Sequence, residues 1–361
     1  MTEWLLVIIV VNVFIFILCL IIILCNKFLK QSGKIKLISG ETEKEAECGQ
    51  TLLSACMSSG IYLPAACGGK GTCGKCAVKI ISGGSPVTTL EKLQLKSYEL
   101  ENSLRLSCQV RVRNDIELDP SVMAKAATAF KANLVKIEQV TDRIKILSFE
   151  YSSGHIKHFK AGQYIQLNYA LPWEKITRAY SVSSINQNGF SLDVQAIPGG
   201  LVSNYLHSLK EGTELEFSGA YGDMYLPNVL TQKSIILAAG GVGLAPIRAI
   251  ANELLEKEYS GSIFLFQGAR NRSSLYNEQT FNKLADKHKN FHYFPALSEP
   301  ELQDGWNGFE GKIHELIDKK ITEIENIECF ICGPKPMMEA TENILYKKGV
   351  TSDRIHKDPF D

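Results

Sequence analysis

The sequence predicts a multidomain chain with an N-terminal transmembrane helix, a small mixed domain, an antiparallel β-barrel and an α/β domain. Three observations predict this fold class. Residues 5–25 form one apolar run, glycines and cysteines concentrate at residues 67–76, and buried strands alternate with helical stretches after residue 232. At about 150 residues per domain, the 361 residues allow two or three soluble domains. The predicted boundaries are 1–32, 33–122, 128–230 and 232–361.

The charge balance excludes one class of function. The chain carries 39 Lys and Arg against 39 Asp and Glu, so it lacks the basic excess with which a nucleic-acid binder neutralises phosphates. We expect no nucleic-acid partner. The 45% of hydrophobic residues and 22% of charged residues are typical of globular domains. Ten cysteines are too sparse for a small disulfide scaffold, so their spacing must decide their role.

The apolar run at residues 5–25 predicts a retained membrane anchor. It holds 21 residues, of which Asn12 is the only clearly polar one. As a helix it is about 30 Å long, enough to cross the hydrocarbon core of a bilayer. A cleaved signal peptide fits less well, because Glu3 is the only charged residue before the run and no small-residue cleavage pattern follows it. Lysines follow at once, which predicts a single-pass protein of the inner (cytoplasmic) membrane with its soluble domains in the cytoplasm.

The segment 33–119 carries strand-like and helical patterns around the cysteine-rich loop. Its predicted strands are Lys34–Ile38, Glu43–Cys48, Cys76–Ile81 and Arg105–Arg113. Its predicted helices are Thr51–Ser59 and Leu90–Glu99. Residues 120–127 predict a linker.

The remaining segments differ in their periodicity. Residues 128–229 hold short strands separated by turn sequences such as Asn188-Gly189, which predicts a small barrel. After residue 232, buried strands alternate with helices, which predicts a parallel sheet. The elements that carry this alternation are Ser234–Ala239, Leu244–Lys257, Ser262–Gly268, Cys329–Cys332 and Pro336–Lys348.

The cysteine spacing is the strongest chemical pattern in the chain. Cys67, Cys73 and Cys76 share one glycine-rich loop, and Cys108 follows after 31 intervening residues. Four thiolates satisfy two ferric ions bridged by sulfide, and glycines let backbone N–H groups approach the sulfurs. The alternatives are a structural zinc, which usually takes two tight C-x2-C pairs, and unligated core cysteines. The spacing favours an iron–sulfur cluster.

Two further motifs suit phosphate and ring binding. In the run Arg178 to Ser181, the arginine offers a planar fork for a phosphate, Tyr180 a flat ring surface, and Ser181 a hydroxyl for a ring nitrogen. Gly200 to Ser203 precede an apolar helical stretch, whose N-terminus suits an anion. Taken alone, the tetrapeptide also fits an ordinary surface strand.

A third motif lies where a buried strand leads into a helix. The stretch Gly240 to Pro246 runs G-G-x-G and not G-x-G-x-x-G, in the strand–turn–helix context that a dinucleotide pyrophosphate requires. A tight structural turn is the alternative. Cys332-Gly333-Pro334 follows another buried strand, and Cys332 also fits a small buried core residue.

Taken together and in this order, the motifs resemble known families. The segment around Cys67–Cys76 resembles a ferredoxin domain with a [2Fe–2S] cluster and the β-grasp fold, and the rest resembles the ferredoxin–NADP+ reductase superfamily. The five-residue gap between Cys67 and Cys73, together with the anchor, resembles the F subunit of the Na+-translocating NADH:quinone reductases. Two departures stand out: Lys70 and Thr72 replace small residues of the cluster loop, and the connection from Tyr164 to Arg178 lacks an insertion.

The resemblance implies site residues. It assigns FAD to Arg178, Tyr180, Ser181, Gly200 and Ser203. It assigns NAD(P)H to Gly240, Gly241, Gly243, Pro246, Cys332, Gly333 and Pro334. It places the aromatic ring of Phe360 over the flavin, and it makes Ser181, Cys332 and Phe360 the residues nearest the reacting atoms.

The resemblance also implies an activity. NADH gives a hydride to FAD, single electrons pass to the [2Fe–2S] cluster, and a membrane redox subunit or a quinone accepts them. Sodium transport belongs to other subunits. The alternatives are the reductase component of an oxygenase, another NAD(P)H:acceptor reductase, and a plain electron carrier. The choice between NADH and NADPH stays open, because Arg270 and Arg272 suit a 2′-phosphate and are also common in loops.

Overall fold

The chain divides into two compact units. The computed structural model describes residues 2–29, 33–153, 159–170, 175–227, 234–322 and 326–360. The first unit comprises Met1–Leu63 and Gly69–Ala126, and the second comprises Pro64–Gly68 and Ala127–Asp361. We call them the cysteine-loop unit and the reductase unit, and we describe each by itself.

Helix α1 (Thr2–Leu29) opens the cysteine-loop unit. Its described side chains leave out residues 2, 3, 5, 23 and 25–29, and large apolar ones such as Phe14 and Ile21 are exposed. Among the described residues, no helix combines the length and the hydropathy needed to cross a membrane. The transmembrane span therefore stays a prediction.

The rest of the cysteine-loop unit is a small mixed sheet with short helices. Its strand order is β2-β1-β5-β3-β4, in which β1 and β5 are parallel and the other neighbours antiparallel. Leu37, Leu52, Val110 and Ile116 lie in its core. The elements are β1 (Lys34–Ser39), β2 (Thr42–Glu47), α2 (Leu52–Ser58), β3 (Ala77–Ser82), α3 (Thr89–Gln94), α4 (Ser97–Glu101), β4 (Leu104–Leu106), β5 (Ile116–Leu118) and α5 (Ser121–Lys125).

Three predicted elements of this unit need correction. The helix predicted over Leu90–Glu99 is two helices, because Leu95 is extended (φ −104°, ψ 142°) and ends α3. The strand predicted over Arg105–Arg113 is only β4, because the backbone then turns and the Val110 N–H donates to the Leu106 carbonyl. The predicted linker contains α5.

The first part of the reductase unit is a closed antiparallel barrel. Its strand order is β10-β7-β6-β11-β8-β9. Four rings fill it: Phe130 stacks with Phe217 at 5.7 Å between centroids, and Phe149 with Phe190 at 5.3 Å. The elements are β6 (Thr128–Thr141), β7 (Ile144–Ser153), β8 (Tyr164–Ala170), β9 (Lys175–Ile185), β10 (Gly189–Gln195), α6 (Leu201–Ser208) and β11 (Glu214–Tyr221).

The second part of the reductase unit is a parallel sheet in the order β15-β14-β13-β12-β16-β17. The chain moves outward from β12 to β15 and returns to the other side of β12 at β16. A topological switch point therefore lies between β12 and β16, where ligands bind in open α/β sheets. The elements are β12 (Ser234–Gly240), α7 (Leu244–Glu256), β13 (Ser262–Ala269), α8 (Glu278–Lys287), β14 (Phe291–Leu297), β15 (Phe309–Glu310), α9 (Ile313–Lys320), β16 (Ile327–Pro334), α10 (Lys335–Lys347) and β17 (Ile355–Phe360).

The apolar sequence of β12 explains why the sheet is covered on both sides. Ile235 and Leu237 lie in a core with Ile247 and Leu254 of α7. Ile236 points to the opposite face and lies in a second core with side chains of α9 and α10.

Candidate functional site

The carboxyl ends of β12 and β16 approach each other without side chains between them. A Cβ on Gly243 would lie 2.3 Å from the Cys332 carbonyl oxygen, and one on Gly240 would lie 2.5 Å from Met337 Sδ. A Cβ on Gly333 would lie 3.0 Å from the backbone nitrogen of Gly240. The structure thus brings together Gly240, Gly243, Cys332 and Gly333, four of the residues predicted to bind the nucleotide.

Gly241 and Pro246 have different surroundings within the same motif. Gly241 is exposed, has φ +56°, and has no atom within 4 Å of where a Cβ would stand, so a ligand can approach its backbone. Pro246 is buried in the first turn of α7, where a helix has no partner for its amide hydrogens. Pro246 therefore shapes the helix start, and Gly241 presents the open backbone.

Cys332 is completely buried beneath the C-terminal strand. Its thiol donates to the Asp358 carbonyl oxygen over 3.1 Å. Burial, followed by the nearby Asp358 carboxylate, raises the pKa of this thiol, which keeps it protonated. The partner strand β17 ends at Phe360, whose backbone is paired with Pro334. The side chain of Phe360 lies outside the described residues, so its position over a flavin stays a prediction.

Strand β9 carries the predicted flavin residues on its two faces. Arg178 and Tyr180 pair with Leu167 and Ile165 of the barrel core, whereas Ser181 is on the opposite face. The Arg178 guanidinium donates to the Thr177 carbonyl oxygen over 2.7 Å.

The hydroxyl groups of Tyr180 and Ser181 are both enclosed. Burial raises the pKa of Tyr180, and the Arg178 charge opposes that shift. Ser181 is buried, and its hydroxyl has no hydrogen-bond partner among the described residues. Because buried hydroxyls are normally paired, the Ser181 hydroxyl fits a ligand atom such as a flavin ring nitrogen. The chain thus has a polar group of the kind that FAD requires here.

Gly200 and Ser203 form the start of α6. Gly200 is its N-cap residue, and a Cβ there would lie 2.6 Å from Ser203 Oγ and 2.9 Å from Ile197 Cβ. Ser203 Oγ accepts from the Ile197 N–H over 3.3 Å. Only glycine fits at the cap. The bare helix start suits a phosphate group, as the sequence predicts.

The predicted cluster cysteines differ in their surroundings. Cys76 and Cys108 are buried with their sulfurs 3.3 Å apart, and the hydrogen bond with Cys108 together with burial raises the pKa of Cys76. Cys73 is half-buried, and Cys67 is half-buried within the segment that groups with the reductase unit. Within the described ranges, no group of three or more His, Cys, Asp or Glu side chains is gathered as a metal site. Ligation by all four cysteines therefore stays a prediction.

The loop around these cysteines has a backbone that suits a cluster. Gly69, Gly71 and Gly74 adopt φ values of +88°, +80° and +68°, which glycine alone adopts readily. The Gln109 amide donates to Cys108 Sγ over 3.5 Å. Left-handed glycines turn N–H groups toward a common centre, as a bound cluster requires.

Sequence reasoning missed a charged group inside the reductase unit. Asp193 of β10 is fully enclosed and pairs with Arg248 of α7 and Tyr276. An aspartate within the strand sequence Ser-Leu-Asp-Val-Gln is the pattern that could have revealed it, because strand interiors disfavour aspartate. Its partner could not be found from sequence.

These features define a class of protein: a flavin- and nucleotide-binding oxidoreductase with an attached iron–sulfur domain. Residues 37–113 match the 2Fe-2S iron-sulfur cluster binding domain. Residues 131–225 match the oxidoreductase FAD-binding domain, and residues 237–343 match the oxidoreductase NAD-binding domain. The predicted cofactors FAD, [2Fe–2S] and a nicotinamide dinucleotide are confirmed.

Relatives make the family specific. The phenol hydroxylase P5 protein of Acinetobacter pittii is 31% identical over 329 residues, covering 88% of this chain and 92% of the relative. The F subunit of the Na(+)-translocating NADH-quinone reductase of Neisseria meningitidis is 28% identical over 404 residues and covers 99% of both chains. The Amycolatopsis cytochrome P450 reductase GcoB has a TM-score of 0.71 and 25% identity, over 90% of this chain and 98% of that one.

The chain belongs to this family of electron-transfer reductases, in which a [2Fe–2S] domain is fused to FAD- and NAD-binding domains. The resemblance to the F subunit that the sequence predicts is confirmed. The chain is an oxidoreductase that moves electrons between a nicotinamide, a flavin and an iron–sulfur cluster.

Proposed function

We propose that this chain oxidises NADH at the cytoplasmic membrane and passes the electrons to a membrane-bound acceptor. The observation that carries the proposal is the alignment with the F subunit, which covers 99% of both chains, whereas the alignment with the phenol hydroxylase protein covers 88% of this chain. The apolar N-terminal run, followed by lysines, supports an anchor with the catalytic domains in the cytoplasm.

The proposed division of labour follows from the site. Bound FAD supplies the conversion between two-electron hydride chemistry and one-electron transfer to the cluster. Arg178 and the start of α6 at Gly200 and Ser203 hold its phosphates, and the Ser181 hydroxyl bonds its ring. The turn at Gly240–Gly243 holds the nucleotide pyrophosphate. Cys67, Cys73, Cys76 and Cys108 hold the cluster. These groups bind and orient, and the reaction needs no general base.

Charges near the end of β13 support NADH over NADPH. Arg272 lies 2.6 Å from Glu278, and Arg270 lies 3.7 Å from Glu299. These carboxylates neutralise the two arginines and would repel a 2′-phosphate. We expect NADH to be the better donor, and Glu278→Gln to narrow the preference.

Membership in a complete sodium pump depends on partners. The alignment with the F subunit extends over 404 positions against 361 residues here, so the relative has segments that this chain lacks. The short connection between β8 and β9 lies at one such place according to the resemblance. Under our proposal, ubiquinone receives electrons through membrane redox subunits, and those subunits carry any sodium transport.

A second candidate is the reductase component of an oxygenase. The 31% identity to the phenol hydroxylase protein favours it, as does the short connection after β8. Such a reductase would work with a soluble oxygenase component and would need no membrane acceptor.

Recovery of the full tagged chain from native cells distinguishes the two. Our proposal expects it in detergent-solubilised membranes, together with membrane redox proteins and NADH-dependent ubiquinone reduction. The control is ferricyanide reduction, which tests the flavin without the native acceptor. Recovery from the soluble fraction with an oxygenase component would favour the second candidate. A purified chain whose flavin NADH does not reduce would contradict both.

A further inference from the structure

A buried charged network joins the barrel to the parallel sheet inside the reductase unit. Arg248 Nη2 of α7 donates to Asp193 Oδ1 of β10 over 2.6 Å. The Tyr276 hydroxyl donates to Asp193 Oδ2 over 2.9 Å. The Asp193 side chain has no exposed surface, and the Arg248 side chain is 13% exposed. We call Asp193, Arg248 and Tyr276 the buried triad.

The triad connects the two halves of the predicted site. Its barrel member, on β10, is one strand away from the flavin residues of β9, with Leu192 paired to Val182. Its helix member, Arg248, is on α7, whose N-cap residue Gly243 ends the nucleotide turn. Helix α7 also packs directly on β9. A shift of α7 relative to β10 would therefore move the nucleotide turn relative to the flavin strand.

The third member extends the network toward the nicotinamide side. The Tyr276 carbonyl accepts from the Gln267 amide over 3.1 Å, and Gln267 Oε1 accepts from the Tyr293 hydroxyl over 2.7 Å. The buried Cys332 thiol is close enough to Tyr276 to help raise its pKa, after burial and the Asp193 charge. The triad thus lies behind the surface that Cys332 and the glycine turn form.

Stability alone does not account for the triad. A buried ion pair is often no more stabilising than apolar side chains of similar volume, because both charges lose their hydration. Arg248 Nε has no hydrogen-bond partner among the described residues, so desolvation is only partly compensated. What the pair does provide is direction, because charge-assisted hydrogen bonds fix distance and angle more tightly than apolar contact.

We infer that the buried triad is a positioning device for hydride transfer, which holds the nucleotide turn at a fixed distance from the flavin strand. The inference rests on the proposed oxidation of NADH by bound flavin. Asp193 is its central positioning residue, since it accepts from both partners. Hydride transfer is sensitive to placement, and an error of about 1 Å costs about a hundredfold in rate.

The test compares three variants of the full chain with the parent. Tyr276→Phe removes one hydrogen bond and no charge. Asp193→Asn with Arg248→Met removes both charges together, so that neither is left buried and unpaired. Glu214→Gln is the matched control, because it breaks an exposed ion pair of the barrel with Lys131.

Three measurements distinguish positioning from simple stability. Single-turnover flavin reduction by NADH, and by NADH deuterated at the transferred position, reports the hydride step. Bound flavin and NAD+ affinity report whether the sites are intact. Hydrogen exchange of α7 amides, measured without nucleotide, reports how tightly the helix is held.

We expect flavin reduction to slow about tenfold in Tyr276→Phe and about a hundredfold in the double variant. The isotope effect should rise, α7 exchange should speed up, and flavin content and NAD+ affinity should stay within about twofold. Glu214→Gln should match the parent. Parental reduction rates in the double variant, or losses that follow the melting temperature alone, would overturn the inference. A parent chain that binds NADH without reducing its flavin would overturn the proposed function and the inference together.

Discussion

The two units use glycine for different physical reasons. In the cysteine-loop unit, Gly71 and Gly74 have φ values of +80° and +68°, and Gly74 has no atom within 4 Å of where a Cβ would stand. In the reductase unit, Gly243 has an ordinary φ of −60°, yet a Cβ there would lie 2.3 Å from the Cys332 carbonyl oxygen. The first loop requires glycine for its backbone conformation, and the second requires it for close packing.

The supports behind the two loops differ in the same way. In the cysteine-loop unit, buried Glu91 pairs with Arg105 at 2.8 Å and accepts from the Leu106 N–H, two residues before Cys108. In the reductase unit, β12 and β16 meet through backbone contact. Polar pairing therefore braces one site, and close packing forms the other.

Gly243→Ala should break the reductase site with the largest effect. The added methyl group would force β16 away from the turn, at a cost of more than about 3 kcal/mol of unfolding free energy. Gly241→Ala is the control, since its Cβ meets nothing and its cost is only the left-handed strain of about 1–2 kcal/mol. Chemical unfolding and NAD+ titration measure both variants. Equal losses in the two would contradict the close-packing argument.

Glu91→Gln should loosen the cysteine-loop unit by about 2 kcal/mol at neutral pH, because Arg105 loses a charged partner. Burial would raise the pKa of Glu91, but the hydrogen bonds and charge of Arg105, with the Thr88 and Leu106 amides, lower it below its ordinary 4.5.

A lowered pKa means that this stabilisation is complete above pH 4.5 and is lost as the pH falls through the folded-state value. Hydrogen exchange of the peptide containing Leu106, followed from about pH 6 to about pH 3.5, should converge for parent and variant at low pH. A difference that persists unchanged at the lowest pH would argue against the ion pair.

Gly74→Ala should cost about 1.5 kcal/mol through backbone strain alone. Because the site is open, the visible absorbance of the iron–sulfur cluster should persist. Gly71→Ala is the contrasting variant, since its Cβ would also lie 2.8 Å from the Gln109 amide nitrogen. Unfolding followed by cluster absorbance tests the pair. A larger loss in Gly74→Ala than in Gly71→Ala would contradict the assignment of pure strain.

Ser181→Ala should show the smallest effect, in flavin binding and not in folding. The hydroxyl has no partner among the described residues, so its removal should change the unfolding free energy of flavin-free protein by less than about 0.5 kcal/mol. Loss of a hydrogen bond to the ring should weaken flavin binding by about 1 kcal/mol, roughly fivefold. Flavin titration by fluorescence measures it. Ser218→Ala is a control, because Ser218 is a second buried serine whose hydroxyl has no hydrogen-bond partner in the described part of the chain.

Much of the site was predictable from local sequence. Alternation of apolar residues, the turn sequences and the spacing of Cys67, Cys73 and Cys76 are short-range patterns, and the barrel and parallel sheet were predicted from them. The break between α3 and α4 was not predicted. Helical periodicity continues across Leu95, and only the cap contacts of Glu91 and Glu99 show that two helices begin.

Local sequence was enough to identify which residues are chemically suited to the cofactors, because thiols, glycines and an arginine fork occur at spacings that leave few other uses. Only in the folded chain does Gly243 lie against Cys332, almost ninety positions away. The pairing of Asp193 with Arg248, across 55 positions, likewise emerges only from the packed layers. The physical reason is that local conformation follows from neighbouring side chains, whereas pairing between distant segments depends on how whole layers pack.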